Sequence, residues 1–286
     1  MTMNIIKNKK IFYMISLIII AAGLIMFFVN GLNYGIDFTG GTMIQLDLGK
    51  FVSVEEAREI MDEYDNNASL IHVGGNQEEL IIRSSLDLSN VDTTAIVDKF
   101  VEIHGMDRNN FQTQKFGPFM GKEIRDRALF SIIITSVLML GYISFRFQFK
   151  FGVAAIVALI HDILVTLAIY SILRLPVNSS FIAAMLTIVG YSINDTIVIF
   201  DRIREQLRIS QKDNLETIVN NSVKLSLRRT INTTVTTVLA VGVLYILGVE
   251  DVKVLALPLL LGMLSGTYSS IFIASPIWYT LKKGRV

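Results

Sequence analysis

The chain has 286 residues, of which 52% are hydrophobic and 18% are charged, and its mean hydropathy is +0.53. Soluble domains usually contain about 25% charged residues, so this balance indicates a membrane protein and argues against a soluble enzyme. The net charge of +1 supplies no positive field for a polyanion, so nucleic acid is not expected as a partner. The absence of cysteine excludes disulfides, thiolate nucleophiles and zinc–thiolate sites.

Six apolar segments are long enough to cross a bilayer, which requires about 20 predominantly apolar residues. Spanning helices are predicted at residues 11–29, 128–145, 151–173, 178–200, 231–249 and 254–280. Basic residues precede the first segment, as they do in a signal peptide, but no small-residue cleavage site follows it. We therefore expect the first segment to remain as a membrane anchor.

The basic residues predict how these spans are oriented. Six spans place both termini on one side, and the segment 201–230, which lies on that side, holds seven lysines and arginines. The two short loops on the opposite side hold only Arg174 and Lys253. The positive-inside rule therefore predicts a multi-pass protein of the cell membrane with cytoplasmic termini and a cytoplasmic connector at 201–230.

The segment between the first two spans, residues 30–127, is predicted to fold as an extracytoplasmic domain. Alternating apolar residues predict strands at 42–48, 70–73, 80–83 and 111–116. Helical spacing behind Ser53 and Ser89 predicts helices at 54–64 and 90–104. The order β-α-β-β-α-β is that of the ferredoxin-like α+β fold. The chain thus divides into residues 1–29, 30–127 and 128–286.

Two familiar kinds of site are not expected. Residues 117–123 do not form a nucleotide-binding P-loop, because three residues rather than four separate the two glycines and Glu follows the lysine. His72, His104 and His161 lie in three separate segments without the spacing of metal ligands. No metal, organic cofactor or catalytic residue is therefore predicted.

Asp195 is an ionisable residue in the fourth predicted span, with apolar residues on both flanks. An aspartate at the centre of a spanning helix costs at least ~2.5 kcal/mol, so its side chain should face the bundle interior or water. It lies roughly 9 Å above the cytoplasmic end of the span, at a rise of 1.5 Å per residue. We favour binding and release of an ion over a purely structural hydrogen bond to a neighbouring span.

His161 and Asp162 lie near the middle of the third predicted span. Adjacent helix positions point about 100° apart, so only one of the two can face Asp195 directly. A hydrogen-bonded structural pair and a proton relay are both compatible with this pattern.

Arg229 stands at the cytoplasmic entry of the fifth span, where position alone favours snorkelling towards the lipid headgroups. Thr233 and Thr236 follow on the same helix face, and such a polar stripe lines a hydrated groove or a helix contact. In the sixth span small residues recur at steps of four, which favours close helix packing. They are Gly262, Gly266, Ser270 and Ala274.

Several motifs together resemble the SecF family, the smaller subunits of the SecDF protein-export complex in the RND superfamily. The motif residues are Asp37, Gly40 and Gly41 after the first span, Gly117 and Gly121 before the second, Gly190, Asn194 and Asp195 in the fourth, and Arg229 at the start of the fifth. The resemblance covers essentially the whole chain. It implies that six helices in a one-plus-five arrangement form one half of an RND-like bundle.

The resemblance also implies a function and a set of partners. SecD would be the pseudo-symmetric half of the complex, and YajC a further partner. The complex would act on unfolded preprotein, after the step that SecA drives at the SecYEG channel. Asp195 and Arg229 would line a proton path, with H⁺ or Na⁺ as the coupling ion. The further candidates for this path are His161, Asp162, Asn194 and Thr233.

Two other classes of function stay open. An RND-type exporter of small molecules would need a much larger external region than the single domain predicted here. An ion-independent membrane scaffold would explain the external domain but would leave Asp195 in the bilayer without a reason.

Overall fold

A computed structural model describes residues 4–74, 77–210 and 213–283. In chain order the elements are α1 (Lys9–Asn30), β1 (Asn33–Tyr34), α2 (Ile36–Thr39), β2 (Gly41–Asp47), α3 (Val54–Met61), β3 (Ser69–Val73), β4 (Glu79–Ser84), α4 (Asn90–His104), β5 (Phe111–Phe116), α5 (Pro118–Arg146), α6 (Phe149–Ile172), β6 (Pro176–Val177), α7 (Ser179–Ile209), α8 (Leu215–Leu247), α9 (Glu250–Ser269), a π-helical turn (Ser270–Ala274) and α10 (Ser275–Lys283). Six helical stretches among these residues are long and apolar enough to cross a membrane. The predicted fold class is confirmed.

Several spans extend beyond their predicted bounds. Helix α5 begins at Pro118 instead of residue 128, because extended backbone at Gly117 places the proline at the first helical position, where its missing N–H costs nothing. Helices α7 and α8 both continue into the predicted connector 201–230, so most of that segment is helical. Asn214 starts α8 by accepting a hydrogen bond from the backbone N–H of Thr217 at 2.8 Å.

The external domain is a four-stranded antiparallel sheet in the order β3-β4-β2-β5, with α3 and α4 packed on one face. This is the predicted ferredoxin-like arrangement. Ile44 and Leu46 on β2 and Leu80 and Ile82 on β4 point into its core, and Phe100 on α4 covers them. Helix α3 ends at Met61, whereas the prediction extended it to residue 64.

In the membrane part, the third, fourth and sixth spans form the centre of the bundle. Half or more of the residues in their apolar stretches are buried, against 11% in the first, second and fifth spans. Phe151 on α6 stacks on Trp278 of α10 with ring centroids 4.6 Å apart, and packs on Phe200 of α7 at 4.8 Å. Helices α1, α5 and α8 therefore present large faces to lipid or to another protein.

The small-residue ridge of the sixth span packs against α7. A Cβ atom added at Gly262 would lie 2.1 Å from Cδ1 of Ile188, and one added at Gly266 would lie 2.9 Å from Cβ of Ser192. Larger side chains at these positions would therefore force the two helices apart.

The substitution Gly266→Leu should lower the melting temperature of the purified protein in detergent, because overpacking a helix contact costs about 1–3 kcal/mol. The matched control is Gly242→Leu in α8, where an added Cβ meets no atom within 4 Å. Equal melting temperatures for the two variants would contradict close packing of α9 on α7.

Candidate functional site

Asp195 is buried between three helices but has few hydrogen-bond partners. It lies on α7 and is 3% exposed. Thr267 of α9 donates its hydroxyl to the Asp195 Oδ2 atom over a long distance of 3.5 Å. The Thr267 hydroxyl also lies 2.7 Å from the hydroxyl of Thr234 on α8. A buried carboxylate with so little compensation is costly as a bare anion, so this position suits the binding and release of a cation or proton.

Arg229 lies on an exposed face of α8. Within the described ranges its guanidinium makes no ion pair with Asp195, although its positive charge is near enough to act on that carboxylate through space. The hydroxyl of Thr233 bonds back to the Arg229 carbonyl oxygen at 2.9 Å and does not point towards Asp195. The pairing of Arg229 with Asp195 stays a prediction.

A second group of predicted residues faces outward beside Arg229. Asn194 on α7 and Thr236 on α8 are exposed. Gly190 is exposed as well, and a Cβ added there would meet no atom within 4 Å. The structure therefore places Asp195 inside the bundle, while Asn194 on α7 and Arg229 and Thr236 on α8 are exposed; these three residues are called the open polar surface below.

Asp162 is the second buried carboxylate of the bundle, and it has many partners. It lies on α6 and is 0% exposed. Three serine hydroxyls donate to it: Ser192 of α7 to Oδ2 at 2.6 Å, Ser265 of α9 to Oδ1 at 2.8 Å, and Ser269 of α9 to Oδ2 at 2.8 Å. The three serines were not among the predicted site residues. The spacing of four between Ser265 and Ser269, which puts both on one helix face, was the available signal.

The His161 side chain lies between α1 and α9. Its Nε2 atom lies 2.8 Å from the Ser16 hydroxyl, and its Nδ1 atom lies 3.1 Å from Asp162 Oδ1. Its ring stacks on Tyr268 of α9 with centroids 5.9 Å apart. Of the adjacent pair, Asp162 is therefore the residue that bonds to α7, which contains Asp195, and to α9, which contains Thr267.

The π-helical turn begins directly after Ser269, close to both carboxylates. The hydroxyl of Ser270 lies 2.8 Å from that of Thr196 on α7, and it also donates to the Gly266 carbonyl at 2.8 Å. Ser270 and Ala274, the last two members of the predicted ridge, are fully buried in this turn. Turns of this kind often occur at functional sites in helices.

The motif after the first span is tied to the outer end of α7. Strand β1 pairs in parallel with β6, just before α7 begins. Asp37 on α2 accepts a hydrogen bond from the backbone N–H of Ser179 at 2.8 Å. Asn178 accepts one from the N–H of Phe181 at 2.9 Å. Asp37 therefore accepts a hydrogen bond at the N-terminus of α7, the helix that contains Asp195.

The motif glycines allow close backbone contacts at this junction. Gly40 and Gly41 have φ angles of 77° and 137°, which favour glycine. A Cβ at Gly41 would lie 2.1 Å from the Ser84 carbonyl oxygen, and one at Gly121 would lie 2.3 Å from that of Phe38. Gly121 thus lets α5 touch the backbone of α2, whereas a Cβ at Gly117 would meet no atom within 4 Å.

Comparison with known families gives a decisive match. The family described as protein export membrane protein SecD/SecF, C-terminal, matches residues 96–284, and the SecD/SecF GG motif matches residues 25–50. The chain belongs to the SecD/SecF family of protein export membrane proteins. The resemblance found in the motifs is confirmed.

Similar proteins of this family cover nearly all of the chain. The protein translocase subunit SecF of Desulfurispirillum indicum is 37% identical over 270 residues, which are 91% of this chain and 86% of the relative. The protein translocase subunit SecDF of Bacillus subtilis is 34% identical over 96% of this chain but only 38% of its own length. The crystal structure of SecDF from Thermus thermophilus, a translocon-associated membrane protein, has a TM-score of 0.85 at 33% identity, covering 99% of this chain and 39% of that one. The chain thus spans about two fifths of these SecDF chains.

Substitution of Asp37 should loosen the first turn of α7. Asp37→Ala removes the acceptor for the Ser179 N–H, and loss of a helix cap costs about 0.5–2 kcal/mol. Asp37→Asn keeps an acceptor oxygen and loses only the charge at the helix N-terminus, so its effect should be smaller. Hydrogen exchange of the first amides of α7 would measure both effects. Asp47→Ala, at the far end of β2, is the control, and equal exchange in all three variants would rule out the cap.

Proposed function

We propose that this chain is the SecF half of an ion-driven complex that promotes preprotein translocation across the cell membrane after the SecA-driven step at SecYEG. The observation that supports ion coupling most strongly is Asp195, a carboxylate 3% exposed within a spanning helix, whose partners are two threonine hydroxyls, with Thr267 as far as 3.5 Å away. Membership of the protein-export family supports preprotein as the cargo. H⁺ and Na⁺ are both suited to a single carboxylate, and no enzymatic step is part of the proposal.

SecD is the proposed partner for the open polar surface on α7 and α8. Asn194, Arg229 and Thr236 face outward there, and polar side chains at membrane depth are costly against lipid. In the SecDF relatives the matching segment is one part of a longer chain, which supports a second half in contact with the first. SecYEG, YajC and unfolded preprotein are further proposed partners.

The proposed orientation places both termini in the cytoplasm and the domain of residues 30–127 outside. The side chain of Lys9 donates to the hydroxyl of Thr280 at 2.9 Å, and that of Lys150 donates to the Leu281 carbonyl at 2.7 Å. The basic starts of α1 and α6 thus lie beside the end of α10, as a shared cytoplasmic edge requires. The external domain then lies on the side where exported protein emerges.

The energy available at Asp195 is sufficient for a two-state change. Moving one charge through ~100 mV of membrane potential provides ~2.3 kcal/mol. Ion binding at Asp195 would alter its interactions with Thr267 and with the charge of Arg229, and so favour one arrangement of α7. Because Asp37 holds the outer end of α7, such a change would reach the base of the external domain.

The two alternative classes have weaker support. A small-molecule exporter needs a substrate cavity in a large external region, whereas the external part here is one small domain with a continuous hydrophobic core. An ion-independent scaffold gives no reason for a buried carboxylate that only threonine hydroxyls compensate, one of them at 3.5 Å.

The variant Asp195→Asn should abolish gradient-driven export while the complex still assembles, because asparagine keeps the volume but cannot bind and release a proton. The measurement is maturation of a secreted reporter in membrane vesicles, with H⁺ and Na⁺ gradients imposed separately. Asp201→Asn, at an exposed position on the same helix, is the control and should retain export. Wild-type stimulation by both gradients in Asp195→Asn would refute the ion site.

Arg229 and Arg228 provide a second test, because both are cationic and stand at the membrane edge. If Arg229 serves Asp195, Arg229→Ala should stop coupling, whereas Arg228→Ala should cost little. Arg229→Lys should restore only part of the activity, since lysine lacks the planar fork of the guanidinium. Equal defects in the two alanine variants, with full activity of Arg229→Lys, would mean that only cytoplasmic charge matters.

A further inference from the structure

Asp162 is a buried carboxylate that the proposed ion pathway does not require. We propose that Asp162 is a positioning residue: its carboxylate joins Ser192 of α7 to Ser265 and Ser269 of α9, and this serine clasp holds α7 and α9 in the register that places Thr267 beside Asp195. This inference rests on the proposed function of Asp195. Asp162 itself binds no coupling ion in this proposal.

The geometry of the clasp brackets the Asp195 site on both helices. Ser192 precedes Asp195 by three residues, about 4.5 Å along α7 at a rise of 1.5 Å per residue. Ser265 and Ser269 lie two residues before and after Thr267, the donor to Asp195. A slip of α9 along α7 would therefore carry Thr267 away from the Asp195 carboxylate.

The two buried carboxylates differ in their supply of donors. Asp162 accepts three hydroxyl hydrogen bonds of 2.6–2.8 Å, in the range of charge-assisted bonds. Asp195 accepts a long bond of 3.5 Å from Thr267, and Thr234 of α8 is its second hydroxyl partner. A carboxylate that is so fully bonded is a fixed attachment point, whereas the poorly bonded one is free to exchange its partner. The different surroundings therefore give the two residues different roles.

The regular α-helical hydrogen bonding of α9 ends beside the serine clasp. The π-helical turn starts at Ser270, immediately after the last serine of the clasp. Towards its N-terminus α9 meets α7 through apolar side chains and through Gly262, against which Ile188 packs. Side-chain hydrogen bonds to Asp162 add a directional constraint on the register, beside the contact of Ser270 with Thr196.

The helix register can be tested directly, because the chain has no cysteine of its own. The double substitution Ile188→Cys and Gly262→Cys places a single thiol pair where α7 and α9 touch, and it removes the Cδ1 atom of Ile188 that a Cβ at position 262 would otherwise meet. Asp162→Asn should lower the disulfide yield of this pair at least threefold. In the chain without these cysteines, it should lower gradient-driven export at least fivefold. The amount of complex assembled with SecD should stay at the wild-type level.

Two further variants complete the experiment. Ser171→Ala is the matched control, since Ser171 is buried on the same helix and its hydroxyl has no hydrogen-bond partner among the described residues. It should leave the disulfide yield and export unchanged. If Asp162→Asn does not assemble, Ser192→Ala combined with Ser269→Ala removes two bonds of the clasp, keeps the carboxylate, and should give the same two losses.

The possible results separate positioning from other roles. Lost export with a wild-type disulfide yield would make Asp162 an ion-binding residue and would overturn the proposal. Wild-type disulfide yield and wild-type export in Asp162→Asn would mean that Asp162 serves neither the helix register nor export, and would also overturn the proposal. If even the wild-type chain shows no gradient-driven export, the proposed function fails, while the disulfide yield still decides whether Asp162 sets the register.

Discussion

Hydrogen-bond donors are scarce inside a bilayer, and this scarcity determines how the membrane part of the protein is built. Lipid tails and apolar side chains offer none, so each buried carboxylate depends on hydroxyls from neighbouring helices. Asp162 receives three serine hydroxyls, whereas Asp195 has two threonine hydroxyls, one of them 3.5 Å away. The helices α6, α7 and α9 form the buried centre of the bundle, and they hold both carboxylates and all three serines that bond to Asp162.

Much of the fold could be predicted from the sequence, because it depends on local periodicity. The six spans follow from apolar length, and the external β-α-β-β-α-β order follows from alternation and from capping residues such as Ser89, which forms a capping box with Asp92. The helical course of 201–209 and 215–230 was not predicted, since a charged segment beside the membrane fits a loop or a helix equally well. Tertiary packing decides between them.

The functional region was only partly predictable, for a different physical reason. Asp195 stands out because a charge in an apolar run is costly wherever its helix lies. The convergence of Ser192, Ser265 and Ser269 on Asp162 depends on the register of three helices, and no single segment encodes it. Asp37 is similar: its motif was recognisable, but its hydrogen bond to Ser179 appears only when residues far apart in sequence meet.

The junction beneath the external domain also limits how that domain can move. Arg174 donates to the carbonyl oxygens of Asn30 and Gly31 at the end of α1, and the junction glycine Gly121 brings α5 against α2. Both points where the chain enters the domain are therefore held by these contacts, which oppose free swinging on a flexible tether. A tilt of the domain about this junction is compatible with both contacts. A strand of seven residues spans about 24 Å, so a tilt of about 10° moves its far end by about 4 Å, roughly one residue of extended polypeptide.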